Sequence, residues 1–161
     1  MKNLLFLCTG NYYRSRFCEL YFNHRAARRE LSWRADSRGL APDITVFRNP
    51  GPLSPYTHKA LQTLGIALDE KPRRPLTVYP ADFLSADRII ALSRREHEPM
   101  VRACFPSYEP RVEYWEVGDI AIESPARAID KMIELVEALL TELQEPGSAK
   151  DALFEFPSSY D

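Results

Sequence analysis

The chain has 161 residues, 45% of them hydrophobic and 27% charged, which suits one domain with a sizeable core and excludes a disordered tail. Lys and Arg number 21 against 23 Asp and Glu, a formal net charge of -2, so a nucleic-acid binder held by bulk charge is disfavoured and any bound anion must be gripped locally. Three cysteines, Cys8, Cys18 and Cys104, cannot build a disulfide framework and show no four-ligand zinc spacing with His24, His58 and His97, which favours a reducing compartment.

In chain order, Lys2 to Cys8 is a short apolar run that reads as a strand covered on both faces, closed by Thr9, Gly10 and Asn11. Phe17, Cys18, Tyr21 and Phe22 then recur at three-and-four spacing, predicting a helix from Ser15 to about Arg29. A second strand is expected over Trp33 to Ser37. Pro42, Pro50, Pro52 and Pro55 disfavour regular structure until a helix begins near Tyr56 and stops at Gly65. Asp69 to Tyr79 reads as an irregular, partly basic loop, with Arg74 the residue expected near an anion. A short helix over Pro80 to Ala86, a third buried strand over Arg88 to Ser93 and a helix over Arg94 to Cys104 follow. Arg111 to Val117 alternates like a fourth strand, and Pro125 to Leu143 is a long amphipathic helix with Ile129, Met132, Ile133, Val136, Leu139 and Leu140 on one side. Strands alternating with helices predict an α/β fold with a parallel sheet. One catalytic domain over residues 1–145 is expected, with a tail at 146–161 that carries Phe154 and Phe156. No run reaches the roughly 18 apolar residues of a membrane span, and the one after Lys2 is too short for a signal-peptide core. The expectation is a cytoplasmic protein with neither membrane nor nucleic-acid partner.

In an open parallel sheet, ligands bind beyond the carboxyl ends of the strands, where Cys8, Ser37, Ser93 and Asp119 would gather. Cys8 at a strand end lies six positions before Arg14 at a helix start. The intervening loop can turn successive backbone N–H groups inward beside the positive end of the helix dipole, a cradle for phosphate. Arg14 would add a planar fork for two phosphate oxygens. The same field favours a thiolate at Cys8, a nucleophile aimed at phosphorus. Gly10 and Asn11 are expected to supply positive φ or close approach, and Ser15 a hydrogen bond to the thiolate. Cys18 and Cys104 read as core residues.

The segment Cys8-Thr9-Gly10-Asn11-Tyr12-Tyr13-Arg14-Ser15, close behind an apolar strand, resembles the phosphate loop of the low-molecular-weight protein tyrosine phosphatases and the related thiol-dependent arsenate reductases. Asp36-Ser37 is similar to the family's Asp-Ser element, whose serine helps order the loop and Asn11, and Asp82-Phe83 through Ile90 resembles the approach to the third strand. Asp119 stands where the family keeps its general acid, with Glu116 and Glu123 as alternatives. The resemblance implies a three-layer α/β fold, a four-stranded parallel sheet of order 2-1-3-4 with helices on both faces. It further implies hydrolysis through a phosphocysteine on Cys8, Arg14 binding the phosphoryl group, and Asp119 serving as acid and then base. The loop residues Thr9, Gly10, Asn11, Tyr12, Tyr13 and Ser15, with Ser37, would bind a phosphorylated protein or small aryl phosphate without metal or cofactor.

Some positions depart from the family. Tyr13 stands where a second cysteine is common, Arg16 where proline is common, and Asp119 is followed by Ile120-Ala121 instead of proline and tyrosines. Asp43 falls roughly where an aromatic wall residue is expected, so phosphotyrosine stacking loses partners. A phosphate-binding module with lost catalysis, a protein arginine phosphatase and an arsenate reductase stay open as alternatives.

Overall fold

Strand β1 (Lys2–Cys8) sits inside the sheet, buried from Leu4 to Cys8, because its side chains feed two cores at once. Leu4, Phe6 and Cys8 join one hydrophobic cluster, while Leu5 and Leu7 join the other, the two-residue period of a strand covered on both faces. Each such buried Leu or Phe contributes about 1.5–3 kcal/mol. The computed structural model, which describes residues 1–145, places β2 (Trp33–Gly39), β3 (Arg88–Ala91) and β4 (Val112–Tyr114) around β1 in the order β2-β1-β3-β4. All pairings are parallel, as the alternation of strands and helices predicts.

Helices α1 (Arg14–Arg28) and α5 (Pro125–Gln144) cover one face, packing Phe17, Cys18 and Phe22 among Met132, Val136 and Leu140. Leu61 of α2 (Pro55–Thr63) enters the same cluster. Phe83 of α3 (Pro80–Ser85) and Val101 of α4 (Arg94–Cys104) fill the other side. None of these helices is long and apolar enough to cross a membrane.

Several expectations change. β2 runs past Ser37 to Gly39, whereas β3 and β4 are shorter than read. A 3-10 helix over Pro106–Arg111, set by two prolines, takes up the start of the fourth strand. Its far end departs from regular pairing, although Trp115 and Val117 still donate to Ala91 and Leu92. The proline-rich stretch holds a 3-10 helix, Ile44–Phe47, capped by the Asp43 carboxylate accepting from the Thr45 N–H. Cys18 is buried as expected, but Cys104 is exposed at a helix end and belongs to neither core. The expected tail at 146–161 lies outside the described residues.

Candidate active site

Between β1 and α1 the chain makes a tight loop, and Gly39 of the neighbouring strand makes the tightness possible. A Cβ there would stand 2.9 Å from the Thr9 carbonyl oxygen and 3.2 Å from the Asn11 nitrogen. With hydrogen in that place, Leu40 and Ala41 donate to the carbonyls of Cys8 and Thr9 and tie the loop to β2. Asn11 adopts the left-handed conformation with φ 53°, which its short polar side chain tolerates. Gly10 does not share that role: its φ is not positive, and an added Cβ would make ordinary contacts with the side chains of Phe47 at 3.4 Å and Asn49 at 3.8 Å. No side chain caps α1 at Tyr13, so its first N–H groups face the loop as free donors.

Asn11 is fully buried and uses both ends of its amide. Nδ2 donates to Ser15 Oγ at 2.9 Å and Ser37 Oγ at 2.8 Å, and Oδ1 accepts from the Leu76 N–H and from Arg73. Ser15 Oγ, already accepting from Asn11, lies 2.9 Å from Cys8 Sγ and has its proton free for the sulfur. Ser37 passes its proton on to Glu19 at 2.5 Å. Arg73 closes this network from the loop before α3, donating to Asn11, Glu19, Asp36 and Ser37. Burial pushes the Glu19 carboxyl up despite its neighbours Arg73 and Ser37. Arg16, at the family's proline position, is buried beneath the loop and donates to the carbonyls of Pro52 and Arg73, so this departure braces the same network.

Arg14 is 2% exposed and held at two points, by Val117 O at 2.9 Å and Glu96 Oε2 at 2.7 Å. Burial opposes its charge most strongly, but Glu96, Cys8 and Asp119 together outweigh burial and raise its pKa. Asp119 Oδ2 lies 3.9 Å from the same guanidinium, and its Oδ1 accepts from the Ile120 N–H. Burial also pushes the Tyr13 phenol up to about 12, with the charge of Asp119 adding to the effect. The Thr9 hydroxyl donates to Glu96, so this side chain anchors the loop and only its backbone is left to the cradle.

A half-open pocket of about 250 Å³ stands over this floor. Cys8, Gly10, Tyr12, Tyr13 and Arg14 form its base, with Phe47, Asn49, Asp119 and Ile120 at its sides. Phe47 corrects the expectation of a missing aromatic wall: Asp43 caps the 3-10 helix that carries Phe47 to the pocket four residues later. The Tyr12 hydroxyl donates to Pro50 O at 2.6 Å, fixing that ring at the rim. A larger cavity, about 510 Å³, lies behind the loop among Arg16, Glu19, Asp36 and Arg73 and does not include Cys8.

Cys8, Arg14, Ser15, Asn11, Ser37 and Asp119 therefore come together. Glu116 and Glu123 do not line this pocket; they hold Ser93 and Lys131. Arg73, rather than Arg74, meets the loop. Sequence reasoning missed Glu19, Arg73, Glu96 and Phe47. Only Glu19 left a signal, a carboxylate one helical turn after Ser15. Among the described residues no group of three or more His, Cys, Asp or Glu side chains is arranged to hold a metal ion.

Residues 3–149 match the family described as low molecular weight phosphotyrosine protein phosphatase. No curated protein matches the chain. Among solved structures it is similar to YfkJ from Bacillus subtilis (24% identity, TM-score 0.74, covering 89% of this chain and 95% of that one). It is also similar to a low molecular weight protein tyrosine phosphatase from T. tengcongensis (22%, 0.72, covering 88% and 99%). A third likeness is to the YwlE arginine phosphatase from Geobacillus stearothermophilus (19%, 0.70, covering 89% and 94%). At these identities the structural likenesses carry the fold.

Proposed function

Because the chain belongs to the low molecular weight phosphotyrosine protein phosphatase family, we propose that it hydrolyses aryl phosphomonoesters, phosphotyrosine in proteins among them, with Cys8 as nucleophile. The observation that carries the reading is Cys8 Sγ at 2.9 Å from Ser15 Oγ, at the base of a pocket shared with Arg14 and Asp119.

The Cys8 thiolate attacks phosphorus while the ester P–O bond breaks, and Asp119 gives its proton to the leaving oxygen. The Ser15 hydroxyl and the N–H groups at the start of α1 hold the sulfur and the phosphoryl oxygens, and Arg14 meets the charge that gathers on them. Asp119, now a carboxylate, takes a proton from water, which attacks the phosphocysteine. The P–S bond breaks, the thiolate returns, and inorganic phosphate leaves. Phe47 and Ile120 flank the route out of the pocket and suit a flat aromatic leaving group.

Turnover of an aryl phosphate by the wild type and by Cys8→Ser tests this. Turnover is expected to vanish in the variant, and undiminished hydrolysis would sink the mechanism. A wild type that binds phosphate or vanadate yet never turns over would instead be a phosphate-binding module. Peptides carrying phosphotyrosine, phosphoserine or phosphoarginine rank the substrates.

A further inference from the structure

Arg14, the cation that lines the pocket over Cys8, is already in contact with a carboxylate. Glu96 Oε2 accepts from Arg14 Nη2 at 2.7 Å and from the Thr9 hydroxyl, and lies 3.1 Å from His97 Nε2. The Ser93 N–H donates to His97 Nδ1 at 3.0 Å, so the ring proton sits on Nε2, facing Glu96 and Thr9. Three donors thus converge on one oxygen. They overcome partial burial and hold the Glu96 carboxyl far below the usual carboxylate range, so it is charged whenever the protein is folded at ordinary pH. Burial keeps His97 neutral by lowering its pKa, so the ring adds no positive charge beside Glu96.

We propose that Glu96 is a positioning residue with a second effect: it fixes the guanidinium of Arg14 in the plane the cradle needs, and its permanent negative charge weakens the cradle's hold on oxyanions. The inference rests on the phosphatase reading. Two contacts, Val117 O and Glu96, engage the Nη atoms and set the orientation of the fork. A phosphate dianion at Cys8 must then share Arg14 with a carboxylate that never neutralises, which raises the energy of every bound dianion, product included. Inorganic phosphate is therefore released more readily than a lone buried arginine would allow. Glu96 also borders a separate open cavity of about 400 Å³, so exchanging its carboxylate does not disrupt a packed core.

The test is calorimetric titration with inorganic phosphate, together with phosphate inhibition of aryl phosphate hydrolysis. Glu96→Gln keeps the shape and the acceptor oxygen but loses the charge, and is expected to bind phosphate about tenfold more tightly and to lower KM for the ester. Glu96→Asp and Glu96→Asn form a second pair of equal length, in which only the neutral member should gain affinity. A role confined to fixing Arg14 predicts the opposite, equal or weaker phosphate binding in each neutral variant, and that result overturns the inference. If the wild type hydrolyses the ester and binds phosphate while the neutral variants bind no tighter, this inference alone fails. If the wild type neither binds nor hydrolyses, the phosphatase reading fails and takes the inference with it.

Discussion

The Ser15 hydroxyl lies 2.9 Å from Cys8 Sγ, and the same oxygen accepts from Asn11 Nδ2. With one of its two lone pairs taken by the amide, the hydroxyl can turn its proton to the sulfur once the thiol has ionised. A thiolate held this way is stabilised both before it attacks and when it departs from phosphorus. Ser15→Ala is expected to cut kcat more than KM, by about 10- to 100-fold, because the lost contact matters most when sulfur regains its charge. Single-turnover kinetics should locate the loss in breakdown of the phosphocysteine.

Asp119 has its carboxylate 3.9 Å from Arg14 and half exposed at the pocket wall. Asp119→Ala is expected to lower kcat for an ester with a poor leaving group by roughly 10² to 10⁴, the usual range for a general acid. The loss should shrink for leaving groups that need no proton. An equal loss across leaving groups would remove Asp119 from that role.

Arg73 and Arg74 are adjacent, yet only Arg73 bonds to Asn11, Glu19 and Ser37. Arg73→Ala is expected to reduce kcat/KM about tenfold or more and to lower the melting temperature, since it removes one of the two cations beside the buried Glu19, leaving only Arg16 at 3.4 Å. Arg74→Ala should leave both near wild type.

Gly39→Ala would force a methyl to within 2.9 Å of the Thr9 carbonyl, a backbone atom that cannot swing away. A loss of about 2 kcal/mol or more in stability, together with a large loss of phosphate affinity, is expected. Gly10→Ala meets side-chain atoms at 3.4 Å and beyond and should cost far less. Denaturant unfolding with and without phosphate separates the two.

Acid should erode the fold through Glu96. Its folded carboxyl protonates far below the usual range, while in the unfolded chain it titrates at about 4.3. Between those values the unfolded state binds the extra proton, so the contribution is complete above about pH 5 and is lost progressively as the pH falls. Glu96→Gln lacks this component, and the stability difference between it and the wild type should change steeply below pH 5 and stay flat above it.

The strands, the helices and the loop from Cys8 to Ser15 are legible in the sequence because each is written locally. A buried strand is an apolar run, α1 is a stripe at helical spacing, and a cradle needs its cysteine, asparagine and arginine within eight residues. What stayed hidden depends on distance along the chain. Arg73 reaches Asn11 across 62 residues, beside β2, and Glu96 reaches Arg14 across 82, from the helix that follows β3. Phe47 is hidden differently: a four-residue 3-10 helix inside a proline-rich stretch leaves no hydrophobic period, and its cap, Asp43, is the residue that stands where the resemblance expects an aromatic. Cys104 closes α4 and is exposed, although Val101 three residues before it is buried.

The place of β1 in the interior of the sheet has a consequence in time. Its partners are all made later, and the groups that surround Cys8 extend to Asp119. Cys8 thus precedes in the chain every element that completes its surroundings, and the pocket around it closes only after about a hundred further residues have been made and paired. A nascent or truncated chain would carry the thiol without the chemistry. Phosphate affinity is accordingly a report on the whole assembled sheet and not on the loop that touches the anion.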